Sequence, residues 1–149
     1  MASTIPYSSR ELRRPPKKEP PKCSHCGTSA KLVSGRALYS HRIDLRSKLF
    51  WKCPVCPDSH CGCHPNSDVP LGTPADAITR GHRILVHQKL DPLWMLPGLS
   101  WTKRRAKRKA VYKKLAETMG IPVDSCHTAL FDVSTCKNAI RAMDSWGPA

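Results

Sequence analysis

Four cysteines in two close pairs, Cys23-Ser-His-Cys26 and Cys53-Pro-Val-Cys56, constrain this chain of 149 residues more than any other feature. Two residues between paired cysteines make a tight knuckle that turns both sulfurs toward one point. Gly27, directly after the first pair, supplies the positive φ that such a turn favours. Four thiolates satisfy the tetrahedral demand of Zn2+, with Zn–S bonds of about 2.3 Å, and leave no coordination position open for water. The expected role of that zinc is therefore structural. A cysteine-ligated iron–sulfur cluster shares the spacing, a redox CxxC needs a βαβ setting that this stretch lacks, and four unligated core thiols are the remaining alternative. His25, inside the first knuckle, reads as an exposed spacer because the quartet is already complete.

Composition makes a metal staple valuable. Aromatic residues are 6% of the chain and 14 prolines interrupt it, so the apolar core is modest. A structural zinc in a small peptide module supplies about 10–16 kcal/mol, more than the whole stability of a typical domain. The N-terminus does not resemble a signal peptide, and no stretch of about 18 apolar residues offers a membrane span. A cytoplasmic location is expected, where thiols stay reduced and eight cysteines point to metal binding, not disulfides.

The expected fold class is α+β: a small zinc ribbon, made of a β-hairpin and a further strand, followed by about three α-helices. Residues 1–22 hold five prolines and a net charge of +4, and read as a disordered basic tail. Residues 23–64 form the ribbon. Within it Lys31–Val33 and Arg36–Tyr39 flank Ser34-Gly35 as a hairpin turn, a loop extends around Ser40–Lys48, and Leu49–Lys52 is a strand. Residues 65–74 are a proline-punctuated linker, and residues 75–149 the helical region. There Thr73 caps a helix over about Ala75–Leu90 with Pro74 at its first position, and Asp91 before Pro92 turns away from helical geometry. A second helix starts at the Ser100 cap and ends at Gly120, and a third covers about Val133–Met143.

Charge is local. The formal net charge is +14, and residues 101–116 supply +8 of it through Lys103, Arg104, Arg105, Lys107, Arg108, Lys109, Lys113 and Lys114 with no acid between them. Solvated charged faces normally alternate signs at i,i+4, which residues 101–116 cannot do among themselves. Nucleic acid is the expected partner, through its phosphates, with an acidic protein partner as the rival and no membrane. Trp101 reads as a core anchor at the start of this helix, with base stacking as the alternative.

Cys61, Cys63, Cys126 and Cys136 lie outside the quartet. The adjacent pairs Cys63-His64 and Cys126-His127 define a candidate second cluster, while Cys136 on an apolar helix face reads as an ordinary buried thiol.

From Cys23 to about Met143 the chain resembles a family of small zinc-finger-containing proteins of bacteriophages and prophages. The motifs that carry the resemblance are Cys23-x2-Cys26, Phe50-Trp51-x-Cys53-x2-Cys56, Gly62-Cys63-His64, Pro70-Leu71-Gly72-Thr73, Asp91-Pro92-Leu93-Trp94 and Cys126-His127-x3-Phe131-Asp132-x3-Cys136. His60 and Cys61 depart from the aromatic or aliphatic strand expected between these motifs. The resemblance implies zinc at the two CxxC pairs and a phage origin, hence the host cytoplasm, and it implies no reaction.

The expected function is that of a non-enzymatic, zinc-binding accessory protein that binds nucleic acid through the basic helix and tail. One alternative is an adaptor that binds a host protein. Another is a metal-dependent nuclease using His64, His127, Asp91 or Asp132; three glutamates and no suitably spaced acidic pair argue against it.

Overall fold

In the computed structural model the described residues are 19–147. Most of the expected basic tail, residues 1–18, lies outside them. Its last residues do not hang free: Lys22 pairs with Ser29 as an isolated bridge and Ala30 N–H donates to the Pro21 carbonyl at 2.9 Å.

Three short strands form an antiparallel sheet in the order β1-β2-β3: β1 at Lys31–Ser34, β2 at Leu49–Lys52 and β3 at His60–Gly62. Leu32 opposes Trp51 and Val33 opposes Phe50 in the first pair, and Trp51 opposes Cys61 in the second. Strand β2 lies where the sequence places it.

The hairpin does not. Residues 36–38, expected to be a strand, belong to a single helical turn, α1 (Gly35–Leu38), followed by α2 (Ile43–Arg46). Gly35 N–H donates to the Lys48 carbonyl at 2.7 Å and closes this excursion. A Cβ on Gly35 would overlap the Leu45 carbonyl oxygen, so this glycine answers to a close backbone approach, not to a two-residue turn.

Three longer helices follow: α3 at Ala77–Leu90, α4 at Trp101–Met119 and α5 at Val133–Asp144. Helix α3 starts later than expected, because its cap is Asp76, whose carboxylate accepts from Thr79 N–H at 2.8 Å. Ala75 is unavailable to the helix, since its N–H and carbonyl both pair with His60 at 3.1 Å. The chain leaves α3 through a 3-10 turn at Asp91–Leu93, and Asp91 keeps helical dihedrals despite the proline after it. Helix α4 has the expected ends, with Ser100 Oγ accepting from Lys103 N–H and Gly120 in the left-handed cap. Helix α5 is capped by Asp132, which accepts from Thr135 N–H at 2.8 Å.

The helices bury one core. Val86 and Leu90 of α3, Tyr112 and Leu115 of α4, and Cys136, Ala139 and Met143 of α5 enclose Cys126 and Phe131. Residues 65–74, expected to be a linker, are stitched to the ribbon. His64 N–H donates to the Val69 carbonyl, Leu71 N–H to the Gly62 carbonyl, and the Trp51 indole to the Asp68 carbonyl at 2.7 Å. Across its other side, Thr73 N–H donates to the Ala129 carbonyl at 3.0 Å, in the loop before α5.

Candidate metal centre and basic helix

The first knuckle is closed by Cys23 N–H to the Thr28 carbonyl and by Gly27 N–H to the Cys23 carbonyl, both at 2.9 Å, with Gly27 at φ +75°. The second follows β2, where Cys53 N–H donates to the Ser59 carbonyl at 2.8 Å. Backbone amides point at the sulfurs: His25 N–H at Cys23 Sγ (3.4 Å), and Val55 and Cys56 N–H at Cys53 Sγ (3.4 and 3.3 Å). His25 is exposed and contributes its amide, not its ring, as expected of a spacer.

The ligand atoms of Cys23, Cys26, Cys53 and Cys56 all lie within 4.8 Å of one another. A tetrahedral zinc with bonds of about 2.3 Å needs sulfurs about 3.8 Å apart, and Cys26 Sγ and Cys53 Sγ stand at 3.4 Å. Cys23 and Cys53 are buried while Cys26 faces solvent. The quartet therefore fits a structural zinc, closed to substrate on its protein side.

The electrostatics agree. The Thr28 hydroxyl, then the Thr28 amide, pull the Cys26 thiol down to about 6. Burial raises Cys23, but the Ser59 hydroxyl 3.0 Å from its sulfur and the amides around it outweigh that and lower it. Cys56 is pushed up to about 12, first by desolvation and then by the neighbouring sulfurs. A site that favours the first thiolates and resists the last needs a cation to become fully deprotonated, and zinc supplies it by displacing the protons. Ser59 and Thr28 are functional residues that cysteine spacing alone does not reveal.

Among the described residues this quartet is the sole group of three or more Cys, His, Asp or Glu side chains with ligand atoms that close together. Cys63, His64, Cys126 and His127, the candidate second cluster, make no such group. Cys126 points into the helical core with its thiol raised by burial, whereas His127 next to it faces outward against the Tyr112 ring. His64 is exposed beyond β3, and burial raises Cys63. Adjacent side chains diverge, so neither pair offers both ligands to one point. Cys61 and Cys136 are buried thiols, each pushed to about 11 by desolvation, and Cys61 does not join the quartet. The residues weighed for a nuclease are likewise dispersed: Asp91 pairs with His87 and Asp132 caps α5.

Helix α4 divides in two. Tyr112, Leu115 and Ala116 are buried, but from Trp101 to Ala110 every residue is exposed except the half-buried Arg104. Ten residues rise about 15 Å, so the arm runs on beyond the buried stretch of the helix, with Arg104 and Arg108 set against the Trp94–Leu96 turn. Lys103, Arg104, Arg105, Lys107, Arg108, Lys109, Lys113 and Lys114 form no ion pair among the described residues. Arg104 Nε donates to the Leu96 carbonyl at 3.2 Å. Arg108 lies between the rings of Trp94 and Tyr112, 5.6 and 4.9 Å from their centroids. Trp101, expected to anchor the core, is 73% exposed at the tip of the arm, because the first buried residue of the helix, Tyr112, comes about three turns further along.

Paired CxxC knuckles at the edge of a small antiparallel sheet define a zinc-ribbon protein. Residues 19–146 match a family described as a zinc-finger-containing domain, and the chain belongs to that family. No curated protein and no solved structure matches it significantly. Among the described residues no helix is long and apolar enough to cross a membrane.

Proposed function

We propose that this zinc-binding chain is a nucleic-acid-binding accessory protein, with the ribbon as a metal-stabilised platform and α4 as the binding element. The observation that carries this reading is the cationic arm: six cations between Trp101 and Ala110, five of them exposed and Arg104 half-buried, without one carboxylate partner among the described residues. Mutual repulsion on such a helix is relieved when phosphates release their counterions to solvent. We infer from the motif resemblance a phage-encoded protein acting in the host cytoplasm.

Replacing Lys103, Lys107, Lys109 and Lys113 with Gln leaves the Arg104 and Arg108 packing intact and tests the reading. Affinity should fall alike for all sequences. The slope of log affinity against log salt should flatten by roughly 0.9 per lost contact on duplex DNA, or about 0.7 on a single strand. An unchanged slope would transfer the arm to an acidic protein partner, the adaptor reading.

A further inference from the structure

We infer that α4 binds single-stranded nucleic acid, with Trp101 as the platform on which an unpaired base stacks. This rests on the nucleic-acid reading above and names its substrate class.

Trp101 behaves unlike the other three tryptophans. The indole N–H groups of Trp51, Trp94 and Trp146 donate to the Asp68 carbonyl, the Asp91 carboxylate and Thr118 Oγ1 respectively. Trp101 Nε1 donates to nothing among the described residues, and the side chain is 73% exposed. Large aromatics are usually buried over most of their surface, so an open indole at the tip of a cationic arm is a surface without a partner.

Its geometry favours a base. The Arg105 guanidinium lies over the Trp101 ring, 5.4 Å from the centroid, and covers one face. At 73% exposure the indole leaves room for a flat ring to stack, and Arg105, four residues on and on the same side of the helix, stands close enough to meet a flanking phosphate. Successive helical residues turn by about 100°, so the eight cations of α4 spread over roughly 280° of its circumference. A rigid duplex keeps its bases paired and offers no ring face to Trp101. A single strand can curl around the arm and unstack a base as it does so, the combination of basic track and aromatic platform by which single strands are held.

The test compares fluorescein-labelled dT12 and U12 with a labelled 12-base-pair DNA duplex, binding to the zinc-loaded full chain as wild type, Trp101→Ala and Trp101→Phe. The expected result is single-strand affinity lower by about 5- to 160-fold in Trp101→Ala, the range for loss of one stacked base. Duplex affinity should change less than twofold, the salt slope should be unaltered because no charge is lost, and Trp101→Phe should recover most of the affinity. The indole lies outside the core and its one ring contact is the exposed Arg105, so the thermal melt should move only slightly, which separates lost stacking from lost folding. Equal losses on single strand and duplex, or no loss on either, overturn the inference. The lysine-to-glutamine series judges the underlying reading separately, by its salt slope.

Discussion

The Arg83 guanidinium grips Thr73 at two points, donating from Nη1 to its carbonyl and from Nη2 to its hydroxyl, both at 2.8 Å. Nε donates to the Phe131 carbonyl at 2.8 Å, so one buried side chain of α3 holds the ribbon-side connector and the loop before α5 together. Desolvation lowers the Arg83 pKa, and among the described residues no carboxylate pairs with it. Its charge is solvated by backbone carbonyls instead. Arg83→Met removes three donors and leaves the acceptors buried, which should cost roughly 2–4 kcal/mol. Arg83→Lys should recover little, since an ammonium cannot reproduce the planar fork. Chemical denaturation of the zinc-loaded protein measures both, and a methionine variant within 0.5 kcal/mol of wild type would remove Arg83 from this role.

The same junction explains Gly72. A Cβ there would overlap the Ala129 carbonyl oxygen, where the connector passes the C-terminal loop at backbone distance. Gly72→Ala should destabilise by roughly 1–3 kcal/mol through overpacking. Gly81, inside α3, has nothing within 4 Å of an added Cβ. Gly81→Ala should therefore stabilise by roughly 0.5–1 kcal/mol through helix propensity. Thermal melts of the two variants should move in opposite directions, and a shared direction would contradict the close approach.

Metal loss should reach the helices. Asp58, just past the second knuckle, accepts from Ala77 N–H at 2.8 Å at the start of α3, and Ser24 N–H, inside the first, donates to the Pro74 carbonyl at 2.9 Å. Chelation or Cys53→Ser should release one zinc per chain and raise hydrogen exchange at Ala77 and Thr79 as well as in the sheet. Full zinc occupancy in the Cys53→Ser variant would refute the quartet, and α3 amides that stay protected after chelation would confine the metal's effect to the ribbon.

What the sequence made legible was local. The two knuckles, the caps of α4 and the helix over about Val133–Met143 each depend on residues a few positions apart, and they lie where spacing places them. Ser34-Gly35, Ala75 and Trp101 read differently because distant partners decide them. Leu45 claims the space beside Gly35, His60 holds Ala75 extended, and the helical core stops short of Trp101. The divergence of Cys126 from His127 has the same origin, since burial of one sends its neighbour outward. Arg83 did leave a trace: it shares a helical face with Thr79, Val86 and Leu90, and an arginine among buried positions announces a buried bonding role.

His60 occupies β3 where an aliphatic or aromatic residue was expected. It is 7% exposed, packed edge-on against Tyr39 and Phe50. Arg80 Nη1 stands 3.4 Å from Nδ1, and a guanidinium can only donate, so Nδ1 accepts and the proton sits on Nε2, donated to the Tyr39 hydroxyl at 2.8 Å. Burial first, and the Arg80 charge second, lower the His60 pKa below the ordinary value of 6.5. The folded state therefore prefers the neutral ring, while the unfolded chain takes up a proton near 6.5. Stability from this group is fully present above that value and is lost as pH falls from it through the lowered folded value. Acid also protonates zinc-bound cysteines, so wild type is compared with His60→Asn, in which the metal contribution is shared but the titration is absent. Urea unfolding of both proteins, followed between pH 7.5 and 5.5, should show the wild-type advantage shrinking with acid. A difference that stays flat across that window would mean His60 carries its proton in the folded state, and that the Arg80 contact is not the acceptor geometry described.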